Sequence, residues 1–102
     1  MKIEFSTGPM DGVTQIGLAV QACAVGQASA AILAEAAIGK THSDFADTLS
    51  EIEHWLSGDG KVPQWPQFDP LLPVLQHKGR HGALMLPWRA AIGALSLVKA
   101  SG

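Results

Sequence analysis

Apolar and polar positions alternate over residues 2–6, KIEFS, which puts Ile3 and Phe5 on one face. A period of two is the mark of a half-buried strand. Alternation returns over residues 13–21, where Ile16, Leu18 and Val20 share a face and Thr14 is in phase. Between the two stretches, TGPMDG supplies the glycines, proline and aspartate that turn a chain. The simplest reading is a β-hairpin. Two strands alone are marginal in water, so helices must cover one face.

The period then changes. Residues 22–38 hold strong helix formers and few β-branched side chains. Val25, Ala28, Ile32 and Ala36 fall on one stripe, with Ser29 and Leu33 beside it, and Gly39 is the expected C-cap. The alanines make a thin layer that allows close packing. A second helix follows, capped by Thr41 or Ser43, with Asp44 and Asp47 near the positive end of its dipole. Phe45, Leu49, Ile52 and Leu56 form its apolar stripe, and SGDGK ends it.

Residues 62–73 contain Pro63, Pro66, Pro70 and Pro73, a rigid connector. Phe68, Leu71, Leu72, Val74 and Leu75 predict one short helix near its end, before a break at residues 79–82. A last helix is expected over residues 84–99, with Leu84, Trp88, Ile92 and Leu95 on one face. Pro87 is tolerated only in a first turn, so this helix should begin close to it. Strands followed by helices predict an α+β fold. In it a short antiparallel β-sheet, the hairpin, packs against three to four α-helices.

Composition narrows the functional classes. The 102 residues fit one domain, 1–102, with 47% hydrophobic and only 16% charged residues. Mean hydropathy is +0.18. So few charges predict that a partner covers some apolar surface. The net charge of -2 and the scattered basic residues argue against nucleic acid as a partner. No stretch reads as a membrane span or a signal peptide. One cysteine, Cys23, cannot form an internal disulfide, which points to a reducing compartment, the cytoplasm.

Several short patterns carry little chemistry. Gly39-Lys40-Thr41 looks like the end of a phosphate loop, but Ala34 stands where that pattern needs glycine. Ser29 lies within a helix, where capping or packing is the expected role. Asp44, Asp47, Glu51 and Glu53 read as a solvated helix face. His77 and His81 are four apart, a spacing that suits zinc, but Gly79 interrupts the segment. Cys23 supports two readings. Free cysteine is commonly a small buried apolar residue. Cys23 also follows a strand and opens a helix, where orphan amides and the dipole favour the thiolate.

DGVTQIGLAVQACAVGQASAAIL resembles the IscU/NifU-type iron–sulfur cluster assembly scaffolds, and its Gln27-Ala28-Ser29-Ala30 segment resembles the SufU branch. FDPLLPVLQHKGRHGALMLPWRAAIGAL resembles the same family's short helix, arginine-containing approach and final Leu-x-Trp helix. The resemblance implies three ligand cysteines. The first belongs to a Cys-Gly-Asp motif just before the strand that matches MKIEF, and this chain starts at Met1. The second matches Cys23. Alignment on Trp88 puts Ala83 at the third, with His81 two residues away as the substitute candidate. The expectation is a degenerate or N-terminally short member of the family. The strand that the family carries upstream would be missing, leaving an exposed edge for pairing with another chain, including a second copy.

What the resemblance implies for function is a carrier, not an enzyme. Cys23 would bind iron or a cluster or accept sulfur, with Cys23 and His81 as the metal-ligand candidates. The cargo would be an iron–sulfur cluster or iron, with zinc as the other metal. The partners would be a cysteine desulfurase and cluster-acceptor proteins. A cluster needs about four ligands, so Cys23 alone cannot hold one in a monomer. The alternative is a metal-free homologue acting as a structural or protein-interaction module. A third idea, a Cys–His nucleophile built from Cys23 and His81, requires the two side chains to meet.

Overall fold

The computed structural model describes residues 2–7, 12–19 and 24–101. Strand β1, Lys2–Thr7, pairs antiparallel with β2, Val13–Ala19. Ile3 opposes Leu18 and Phe5 opposes Ile16, and the register slips between Ser6 and Thr7. The buried residues Ile3 and Phe5 share the face that the period of two assigns them. Helix α1 is Ala24–Glu35, α2 is His42–Leu56 and α3 is His81–Ser101. Between α2 and α3 lie two 3-10 segments, Asp69–Gln76 and Lys78–Arg80.

The α+β expectation is corrected. The two strands are the sole extended elements among the described residues, and helices dominate the chain. The core is assembled on α3, which packs against α1, α2, β1 and both 3-10 segments. A two-stranded ribbon has too little apolar face to organise a core. A 21-residue helix can touch every other layer at once. The protein is therefore a helical assembly with a hairpin laid on one side. Its α-helices number three among the described residues, and the expected short helix at residues 68–75 is 3-10 in form.

Helix α3 also starts earlier than expected. Pro87 lies inside it and is buried. Proline has no N–H, so the Ala83 carbonyl loses its donor four residues on. The burial of Leu84, Pro87, Trp88, Ala91 and Leu95 along one face outweighs that loss.

Helix α2 follows its sequence closely. Thr41 is the N-cap, and its Oγ1 accepts from the Asp44 N–H at 3.3 Å. The Asp44 carboxylate accepts from the Thr41 N–H at 2.8 Å, which completes a capping box. Phe45, Thr48, Ile52 and Trp55 are buried.

Helix α1 ends at Glu35, ahead of Gly39, the expected C-cap. Gly39 serves the turn beyond, with φ +87°. That left-handed conformation suits glycine because a side chain there is strained against its own backbone, although the space around it is open. The turn pairs with the start of β2: the Gly39 N–H donates to the Val13 carbonyl, and the Val13 N–H donates to the Lys40 carbonyl. Gly12 faces the same turn, where a Cβ would come within 3.1 Å of the Gly39 oxygen.

An aromatic cluster fills the centre. Phe45 lies 5.4 Å from Phe5, 5.4 Å from Trp65 and 6.4 Å from Trp88, measured between ring centroids. Trp65 meets Trp88 edge-on at 4.8 Å. Trp65 comes from the proline-rich connector, so that stretch supplies core as well as reach.

Candidate functional site

Two helix starts frame the site that the sequence points to. Cys23 immediately precedes Ala24, the first residue of α1, and itself lies outside the described residues. His81 and Ala83 occupy the first turn of α3. Ala83 carries no donor atom, so the described first turn offers only the His81 ring.

The His81 ring is already engaged. Its Nε2 lies 3.1 Å from the Val74 carbonyl and 3.1 Å from the Leu75 carbonyl. Both partners are acceptors, so Nε2 carries the hydrogen and donates. These carbonyls belong to the end of the first 3-10 segment, where the Val74 carbonyl also accepts from the His77 N–H at 2.9 Å. The ring thus fastens that segment to the start of α3. Only Nδ1 is left to bind a metal. A metal-bound histidine commonly donates its other ring N–H to a carbonyl in this manner.

The remaining histidines do not join it. His77 and His54 are exposed. His42, at the start of α2, has Nε2 3.2 Å from Ser96 Oγ. That hydroxyl gives its proton to the Ile92 carbonyl at 2.9 Å, so it accepts from His42. A serine arranged this way is not activated as a nucleophile. Among the described residues, no cluster of three or more His, Cys, Asp or Glu could hold a metal ion. The described residues alone therefore do not make a closed cluster site.

The Gly39-Lys40-Thr41 stretch has structural work. Lys40 Nζ lies 5.4 Å from the Trp65 ring centroid, and Thr41 caps α2.

Two residues matter more here than their sequence context suggested. Ser29 is fully buried and bridges two helices. Its hydroxyl donates to the Leu84 carbonyl at 2.6 Å and accepts from Trp88 Nε1–H at 3.0 Å. The buried face of α1 is Gly26, Ser29, Ala30, Ile32 and Leu33; Ile32 of the expected stripe is in the core, and Val25, Ala28 and Ala36 are partly buried against it. A lone hydroxyl among alanines and branched aliphatics was the available signal. The second residue is Trp65, whose Nε1–H donates to the Ile32 carbonyl at 2.9 Å, one of the last four carbonyls of α1.

No described helix is long and apolar enough to cross a membrane. No protein-family model matches the sequence. No curated protein matches it either. Among solved structures, the fold is similar to the crystal structure of the N-terminal part of a nitrogen-fixing NifU-like protein from Brucella abortus. The TM-score is 0.87 at 24% sequence identity, over 98% of this chain and 70% of that one. The resemblance read from the motifs thus extends to the whole arrangement of elements, and this chain has the fold of that NifU-like N-terminal domain.

Proposed function

We propose that the protein is an iron–sulfur cluster assembly scaffold-like carrier in which Cys23 accepts sulfur or ligates iron. The observation that carries this reading is the fold match to a NifU-like N-terminal domain over 98% of the chain. The position of Cys23 directly before α1 supports it, because the helix start favours thiolate. In sulfur transfer, the Cys23 thiolate attacks the outer sulfur of a donor's persulfide. A new S–S bond forms, the donor's S–S bond breaks, and the donor leaves as thiolate. The donor class is a cysteine desulfurase, and cluster-acceptor proteins would take the product. When iron or zinc is the cargo, His81 contributes Nδ1, and further ligands must come from beyond the described residues.

Two arms compare wild type with Cys23→Ala: anaerobic reconstitution with iron and sulfide, read by visible absorption, and incubation with a cysteine desulfurase and its cysteine substrate as persulfide donor, read by persulfide mass spectrometry. Absorption or a persulfide in wild type that Cys23→Ala abolishes is expected. Neither product in wild type rejects the proposal.

A second reading is a metal-free interaction module with the same fold. It is favoured by Ala83 at the third ligand position and by the commitment of His81 Nε2 to two carbonyls. It requires a Cys23 that resists alkylation in the folded protein, and rapid alkylation at neutral pH would reject it.

A further inference from the structure

We propose that Ser29 is the positioning residue of this site. The inference rests on the carrier reading above and says which side chain keeps its two halves in register. Trp88 Nε1–H donates to Ser29, and Ser29 donates to the Leu84 carbonyl, so one hydroxyl uses both its acceptor and its donor capacity across two helices. Ser29 and Trp88 are fully buried, so water offers no substitute partner.

The bridge sits close to both helix starts. At 1.5 Å of rise per residue, Ser29 is about 7.5 Å along α1 from Ala24, and Leu84 is about 4.5 Å along α3 from His81. The bond thus fixes the second turn of α1, which follows Ala24, against Leu84 in the part of α3 that follows His81 and Ala83. Apolar contact and the bond act together here. The buried face of α1 around Ser29 is made of Gly26, Ala30, Ile32 and Leu33. Ile32 and Leu33 anchor this face by volume, Gly26 and Ala30 present little side chain, and the hydrogen bond adds a preferred distance and angle. Trp65 holds the other end of α1 through the Ile32 carbonyl. Two directional bonds, one toward each end, set both translation and rotation.

The test compares Ser29→Ala, Ser29→Thr and a control in α2, Ile52→Val, in the full chain. The readouts are the melting temperature and the rate of Cys23 alkylation by iodoacetamide well below it. Ser29→Ala is expected to raise the alkylation rate several-fold. Ser29→Thr, which keeps the hydroxyl, is expected to return it toward wild type, and Ile52→Val to leave it unchanged. If Ser29→Ala does not fold, Trp88→Phe removes the donor to Ser29 and should raise the rate in the same direction. A wild-type rate in the folded variant that lacks the bridge, or an equal rise in Ile52→Val, overturns the proposal. Persulfide loading of wild type is scored separately, so failure of the carrier reading is distinguishable from failure of the positioning role.

Discussion

Helices α1 and α2 both pack on α3, but they are seated by different physics. Helix α2 brings Phe45, Ile52 and Trp55, large side chains buried in a continuous aromatic and aliphatic core. Its ends are closed by its own sequence, through the Thr41–Asp44 capping box and the Ser57 C-cap. Helix α1 brings alanine, glycine and a few aliphatic residues. It is located by bonds from elsewhere, to Ser29 from Trp88 and to the Ile32 carbonyl from Trp65. Volume holds one helix, and volume with direction holds the other. The helix that direction also holds is the one that adjoins the candidate cysteine.

This contrast can be broken experimentally. The largest effect is expected at Phe45, which touches three rings. Phe45→Ala should cost about 3–5 kcal/mol in urea unfolding, because it removes a large buried side chain and leaves a cavity. A loss below that of Ser29→Ala would mean that volume does not dominate α2. Ser29→Ala comes next. It strands a buried indole N–H at a cost of about 1–3 kcal/mol, read as a fall in the denaturant midpoint at constant slope. Thr41→Ala should cost about 1 kcal/mol by removing the side-chain half of the capping box. Its amide-exchange signature should be confined to the first turn of α2, and spread into α1 would contradict the separation of the two helices. The smallest effect is at Lys40, over the Trp65 ring. Lys40→Gln should cost about 0.5 kcal/mol, the scale of an exposed cation–π contact, and no change in Trp65 fluorescence would argue against that contact.

The sequence disclosed the parts that rest on periodicity. The strands lie where polar and apolar positions alternate, and α2 lies where spacings of three and four recur. Periodicity is blind to what comes from far away in the chain. Trp65 sits among prolines with no pattern around it, yet it is buried at the centre of the ring cluster. Pro87 argued for a helix starting near it, and tertiary packing overrode that local preference. The α+β expectation failed for a related reason. Local patterns report that strands exist, but only packing reports that α3 carries the core. At the site, the motifs identified the two helix starts, while the roles of Ser29 and His81 depend on carbonyls of other segments and were not readable. Cys23 stands where the sequence put it in order, directly before α1, and its own geometry lies outside the described residues.

The pairing of Val13 with Gly39 and Lys40 has a topological consequence. It ties the chain before Cys23 to the chain after α1, so everything between is a closed loop rather than an arm. If α1 lifts from α3, the segment remains tethered at both ends. The conformational entropy released on lifting is therefore limited by loop closure. Helix α1, held in such a loop, can lift and return to the same place while the Val13 pairing with Gly39 and Lys40 stays closed.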